Sequence, residues 1–362
     1  MATTPSAHDA AGTLDTTPGR HAARPAADAT TPAAGAGNRL GPDLADKGQP
    51  GGVKRPGDRI FEFLSSASAT LITVLIAAIG AFLIWRAVPA LLRNANGITG
   101  FFTYSGDWNT ADTKAMYFGI PNLFAVTVLV SLIALLLAMP VALGIAIFLS
   151  NYAPKRLVKP LGFLVDILAA VPSIVYGLWG TQVLGPALGP LFKWIESWGG
   201  GFFLFHHYGN SPNFSTSRNI LTAGIVLAIM ILPVIAATAR EVFVQTPKGH
   251  IESALALGAT RWEVVKLTVL PFGLSGYISG AMLGLGRALG ETMALYLVMS
   301  PSSQFRFSLF DGGTTFATAI ANAAPEFNND IKAGAYIAAG LVLFLLTFIV
   351  NAAARAVVAK KK

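Results

Sequence analysis

The 362-residue chain is 53% hydrophobic and only 12% charged, with a positive mean hydropathy and a formal net charge of +8. An average soluble domain carries about 25% charged residues, so this composition excludes an ordinary water-soluble protein and points to lipid. Cysteine is absent, which rules out disulfide frameworks, thiolate metal sites and cysteine nucleophiles, and the basic excess asks for a topological reading before a nucleic-acid one.

Residues 1–58 are rich in Ala, Thr, Pro, Gly and Asp, and no aromatic residue precedes Phe61. Such a stretch buries too little apolar surface to offset its ordering entropy. It also lacks the short apolar core of a signal peptide, so it reads as a retained, disordered cytoplasmic tail. Residues 59–362 then form a membrane domain.

Six windows satisfy the requirement of roughly 20 apolar residues for a helix that crosses hydrocarbon: Ala69–Leu92, Asn122–Leu149, Leu161–Leu184, Ile220–Ala239, Leu267–Val298 and Ala333–Ala354. Pro121–Ser150, Asn219–Ala239 and Ala333–Ala354 carry no charge. The third window contains Asp166 and Pro172, and Gly185, Pro186, Gly189 and Pro190 are expected to end it. Barrel strands alternate polar and apolar residues, which these runs do not, so the fold is predicted to be all helical.

Loops rich in Lys and Arg stay cytoplasmic. Placing the tail, Asn151–Pro160, the loop 240–266 and the C-terminus on that side gathers most of the 26 basic residues there. Both chain ends are then cytoplasmic. Arg93–Pro121 and Gly185–Arg218, long and rich in aromatic residues, Gly and Pro, fall outside, where Trp194, Trp198 and Phe202 suit the interface.

The most specific signal lies in the loop 240–266, which reads His250-Ile-Glu-Ser-Ala-Leu-Ala-Leu-Gly-Ala-Thr-Arg-Trp262 and continues to Leu270-Pro271. A short helix over Ile251–Leu257, ended by Gly258, is predicted to lie on the membrane surface and offer one face to a partner. An ordinary amphipathic interfacial helix is the plainer alternative. The segment resembles the glutamate-alanine-alanine loop of ABC importer permeases, departing from that pattern at Ser253 and Thr268. The resemblance implies that Glu252, Ser253, Ala254, Leu257, Gly258 and Ala259 dock into a cleft on an ATPase subunit.

In the fifth window Gly276, Gly280, Gly284, Ala288 and Thr292 recur every four residues, a smooth face for close packing of another helix. Gly284 and Gly286 imitate a dinucleotide fingerprint, but no strand precedes them. Arg287 and Glu291 stand four apart, hence on one face of a continuous helix and in reach of an ion pair. A lone Arg or Asp at mid-membrane costs about 2.5 to 3.5 kcal/mol on insertion scales, so such residues pair or line a polar cavity. The pair is therefore either a structural bridge or a transport site, in which the Arg287 fork meets an anion and Glu291 holds the guanidinium between events.

The run Gly-Arg-Ala-Leu-Gly-Glu-Thr-Met-Ala, within Leu283–Ala294, is similar to the fifth-helix signature of phosphate permeases. Val130–Ser150 and Asp166–Gly180 resemble the same family, and its PstC branch more than its PstA branch. The resemblance covers roughly Phe61–Arg355. It implies the type I, MetI-like permease fold, with Arg287 and Glu291 in phosphate translocation. Partners implied are a homologous second permease subunit, an ATPase dimer, an extracytoplasmic phosphate-binding protein, inorganic phosphate and the lipid of a bacterial inner membrane. ATP and Mg would belong to the ATPase subunits, with no cofactor in this chain. Pro172 releases a carbonyl upstream, and Ser173 offers a hydroxyl to the pathway.

His206 and His207 are adjacent, whereas helical metal ligands stand three or four apart, so no metal site is expected. No catalytic triad, carboxylate pair or phosphate loop is recognisable, and no ATPase activity is predicted. A channel or secondary carrier would need no surface helix and often shows repeats of broken helices; a membrane enzyme would cluster His, Asp or Glu at one face. Neither pattern is present. Within the permease class the remaining alternative is another oxyanion, sulfate or molybdate, because an Arg-Glu pair does not encode anion identity.

Overall fold

The computed structural model describes residues 56–112, 115–206, 208, 218–302 and 307–359. The 1–55 stretch of the expected tail, and the terminal lysines, lie outside them. Contacts divide the chain into Met1–Leu64, of which the start of the first helix is described, and Ser65–Lys362, which holds everything else.

Among the described residues every extended element is a helix, in the order α1 (Pro56–Leu91), α2 (Gly97–Thr103), α3 (Pro121–Ile147), α4 (Lys155–Ala170), α5 (Ser173–Trp179), α6 (Gly185–Gly199), α7 (Ile220–Val244), α8 (Lys248–Ala256), α9 (Arg261–Val264), α10 (Leu270–Leu289), α11 (Met293–Val298), α12 (Phe316–Ala323) and α13 (Asp330–Ala359). Five stretches are long and apolar enough to cross a membrane: Gly57–Leu91, Pro121–Tyr152, Ile220–Val244, Arg261–Leu289 and Asp330–Ala356. The third expected window takes a different form. It is a pair of helical stretches, Lys155–Ala170 and Ser173–Gly199, bent by 88°.

Pro172 makes the bend. It has no N–H for the Leu168 carbonyl four residues back, and in lipid an unmet carbonyl costs several kcal/mol. The Val171 N–H reaches that carbonyl only at 3.4 Å, and the Tyr176 hydroxyl donates to it at 2.8 Å, so the break is satisfied chiefly from the next helix. The run from Gly185 to Pro190, expected to end the span, does not do so. Pro186 sits in the first turn of α6, where a missing N–H is harmless, and a π-helical turn over Gly180–Leu184 carries the chain into it.

The core forms around α7, the most buried of the long helices. On α3, Val126, Val130, Ala134, Ala138, Ala142 and Ala146 recur every four residues and are all buried, a face of small side chains turned toward the same cluster as α7. Lipid is as apolar as leucine, so close van der Waals packing drives such contacts. The predicted glycine face of α10 meets α7 in antiparallel order. A methyl group at Gly273, Gly276, Gly280 or Gly284 would collide with Phe243, Val242, Thr238 or Ile235 respectively. Tyr277 ties α10 to α3 by donating to the Met139 carbonyl at 2.9 Å.

A second cluster joins the end of α1 to α2, α12 and α13 through Ala87, Ala90, Phe101, Phe118, Phe316 and Ala335. An ion pair between Arg86 and Asp330, 2.8 Å long, lies at the junction of α1 and α13.

Candidate functional site

The surface helix appears where the loop pattern places it, shifted slightly toward the N-terminus, as α8. Its end is a Schellman motif. The N–H of Gly258 donates to the Leu255 carbonyl at 2.9 Å and that of Ala259 to the Ala254 carbonyl at 3.1 Å, and Gly258 takes φ +84°, a conformation glycine adopts without the penalty of a Cβ. Directly after this turn Thr260 and Glu263 form a capping box that opens α9.

The two caps leave an apolar tip between them. Leu257 is 89% exposed, and Leu255 and Trp262 are exposed beside it. Glu252 and Ser253 are also exposed, Ala254 and Ala259 half-buried. The Ser253 hydroxyl donates to the Gly249 carbonyl at 2.7 Å, so the departure from alanine is absorbed within the helix.

The expected Arg287–Glu291 ion pair is absent among the described residues, and the reason is a break in the helix. α10 ends at Leu289, Gly290 is its C-cap, and α11 starts afresh at Met293. A spacing of four no longer stacks the two side chains once the helix stops between them. The buried Glu291 accepts the backbone N–H of Ala294 at 3.1 Å instead, satisfying one orphan donor of α11. At the other end of α11 the guanidinium of Arg218 donates to the Met299 carbonyl at 3.1 Å. Acid at the N-terminus and base at the C-terminus both complement the helix dipole.

α11 lies parallel to α5. A methyl at Gly177 would stand 2.9 Å from the Ala294 Cα, one at Gly180 would stand 2.9 Å from Val298, and the Thr181 hydroxyl donates to the Leu297 carbonyl at 3.0 Å. The parallel register sets the half-buried Ser173, first residue of α5, at the same end as the N-terminus of α11. Arg287 is exposed on the last turn of α10, makes no hydrogen bond or ion pair among the described residues, and lies within electrostatic reach of Tyr176. The break thus collects one guanidinium without such a partner, one buried carboxylate and the starts of two short helices.

Two contributors escaped the sequence reading. Tyr176 is signalled by its place four residues after Pro172, where its hydroxyl can meet the released carbonyl. Arg218 had no signal, because its role depends on a contact across 81 residues of chain. Asp166, exposed, lines a small cavity with Arg240 and Ala236, and Arg287 is not part of that lining. No group of three or more His, Asp or Glu side chains suited to a metal occurs among the described residues, and His207 is not among them.

Residues 139–362 match the family described as binding-protein-dependent transport system inner membrane component. The chain is 52% identical over 308 residues to "Phosphate transport system permease protein PstC 2" of Mycobacterium tuberculosis, covering 85% of this chain and 93% of that protein. It is 39% identical over 305 residues to "Phosphate transport system permease protein PstC" of Xylella fastidiosa, covering 82% and 89%. A crystal structure of a bacterial ABC transporter involved in the import of the acidic polysaccharide alginate matches in fold, with TM-score 0.51, 16% identity, and coverage of 83% of this chain and 99% of that one. The resemblance seen in the surface loop and the Gly-Arg-Ala-Leu-Gly-Glu run therefore extends through the membrane domain, and the chain belongs to the binding-protein-dependent transport system inner membrane components.

Proposed function

We propose that this chain is a permease subunit of an ATP-driven phosphate importer, forming half of the translocation pathway and coupling it to ATP hydrolysis by separate subunits. The observation that carries the reading is 52% identity, over 85% of the chain, to a protein named as a phosphate permease. Six crossings result when the bent pair α4 with α5 and α6 counts as one, and the basic loops then put both termini in the cytoplasm. Residues 1–58 are its cytoplasmic tail and 59–362 its membrane domain.

The capped tip at Leu257 is the ATPase contact, with Glu252, Ser253, Ala254, Gly258 and Ala259 around it. Its rigid double cap and exposed leucine suit insertion into a cleft on a nucleotide-binding subunit, which holds ATP and Mg. Arg287 is the anion contact. A guanidinium offers a planar fork of donors that matches two phosphate oxygens, and an unpaired one needs no partner displaced before it binds. Glu291 acts through position, fixing α11 beside that fork. Ser173 supplies a hydroxyl at the same level.

Transport proceeds by alternating access. An extracytoplasmic binding protein delivers phosphate to this chain and a homologous partner subunit while two ATPase subunits close below; ATP binding opens the cavity outward and hydrolysis returns it inward. Uptake of labelled phosphate by the complex reconstituted in liposomes, with sulfate and molybdate as competitors, tests the reading. ATP-dependent phosphate uptake unaffected by excess sulfate or molybdate is expected. Uptake of either competitor in preference to phosphate would overturn it.

A further inference from the structure

α13 crosses the bundle as a charge-free run from Ala333 to Ala354, yet it carries one carboxamide, Asn351, three residues before the end of that run. The side chain is exposed and makes no hydrogen bond among the described residues. Thr347 on the same helix is different, since its hydroxyl is satisfied by the Phe344 carbonyl at 2.9 Å. An amide has two donors and an acceptor with two lone pairs. Polar side chains within membrane segments face another helix, the bundle interior or a water-filled cavity, because hydrocarbon leaves their hydrogen bonds unmet.

The neighbour of Asn351 is the residue before the unpaired arginine. A methyl built on Gly286 would stand 3.7 Å from the Asn351 Oδ1 and 3.9 Å from its Nδ2, so α13 brings the amide to the flank of α10 at the level of Arg287. Tyr176 of α5 lies within electrostatic reach of the same guanidinium. Arg287 can donate only, and so can distinguish charge but not protonation. Asn351 adds an acceptor.

We infer that Asn351 is a second contact for the anion at Arg287 and a determinant of anion choice. The inference rests on the phosphate reading above. Phosphate near neutral pH keeps at least one P–OH, whereas sulfate has no proton to give. The Asn351 oxygen accepts that P–OH while its N–H donates to a neighbouring oxygen; against sulfate the oxygen faces a lone pair, and a polar group left unpaired in such a site rejects the analogue that lacks the proton.

The test uses the complete membrane complex in nanodiscs, with a hydrolysis-deficient ATPase, ATP and no binding protein, so that the binding protein's own selectivity does not mask the permease. Equilibrium binding of radiolabelled phosphate and its displacement by sulfate are measured for the unsubstituted complex, Asn351→Leu and Asn351→Gln. Asn351→Leu is expected to weaken phosphate binding roughly tenfold, the loss of one hydrogen bond to a charged group, and to narrow the preference for phosphate over sulfate by about the same factor, because the oxygen that opposes sulfate is removed with it. Asn351→Gln should recover part of the phosphate affinity. An equal loss for both anions, no loss, or failure of Asn351→Leu to assemble with its partners would overturn the inference, the last by assigning the amide to helix association. If the unsubstituted complex neither binds nor imports phosphate, the phosphate reading fails first and this inference falls with it.

Discussion

Glu291 and Arg218 hold the two ends of one six-residue helix, the carboxylate at the Ala294 N–H and the guanidinium at the Met299 carbonyl. A helix of that length has too few internal hydrogen bonds to offset its nucleation cost, so α11 depends on these grips and on α5. Glu291→Ala should destabilise the complex by about 0.5 to 2 kcal/mol, the usual value of a lost cap. Glu291→Gln keeps an oxygen acceptor and should lose less than half of that. Thermal unfolding of the purified complex checks the order; equal losses would contradict the capping role.

Arg287 stands apart from that grip. Arg287→Gln removes the charge and keeps a polar side chain of similar reach, and no ion pair is broken by it, so the complex should assemble normally while phosphate flux falls at least about a hundredfold, the loss of two charge-assisted hydrogen bonds. Arg287→Lys should restore only part, because a point charge lacks the fork. Uptake by the two variants at matched complex concentration decides it. Normal flux through Arg287→Gln would make the residue structural.

At the surface helix, Gly258→Val forces a β-branched residue into φ +84°, at a cost of roughly 1 to 2 kcal/mol. The Schellman turn should open and Leu257 should lose its fixed direction. The membrane domain should remain in the bilayer, while co-purified ATPase and phosphate-stimulated ATP hydrolysis both drop severalfold. Unchanged hydrolysis would remove α8 from the coupling role.

The bend at Pro172 yields a further pair of variants. Tyr176→Phe deletes the shorter of the two hydrogen bonds to the Leu168 carbonyl and should cost about 1 kcal/mol. Gly177→Leu should cost more, because its side chain would meet the Ala294 backbone, which cannot move aside without parting α5 from α11. The ranking is read from thermal unfolding of the two variants side by side. A larger loss from Tyr176→Phe would place the main strength of the bend in the hydroxyl rather than in the helix contact.

Topology is testable because the chain has no native cysteine. Single cysteines at Lys155 and Arg261 should resist an impermeant thiol reagent in intact cells, and one at Asp107 should react. Labelling of Arg261→Cys from outside would invert the assignment.

The long apolar runs made the helices of membrane-spanning length legible, because length and absence of charge are properties of each segment alone. The surface helix was legible for the same reason: Gly258 and the spacing around it are local. The glycine face of α10 was read correctly as far as Gly284. The breaks were harder. Gly290 and Thr292 in an apolar context do not reveal that α10 stops, because the stop depends on Glu291 finding the Ala294 N–H and on α5 lying alongside. Gly and Pro at 185–190 looked like an end and proved to be a passage, since Pro186 fell in a first turn. What pairing chemistry Arg287 lacks, and what Arg218 supplies, are long-range facts with no local signature.

α9 and the glycine-lined α10 are joined through a π-helical turn at Val265–Val269 into one run of 29 residues, Arg261–Leu289, roughly 43 Å at about 1.5 Å per residue. One end follows the capped tip at Leu257 and the other meets the Gly290 joint. With that tip as the ATPase contact proposed above, the run is placed to act as a push-rod with a swivel at its far end. Under that reading a displacement delivered at Leu257 would be carried toward Arg287 along one helical run, and the joint would let α11 keep its seat on α5. The stroke that exposes an anion to one side or the other would then be set by the length of this run and the position of its joint.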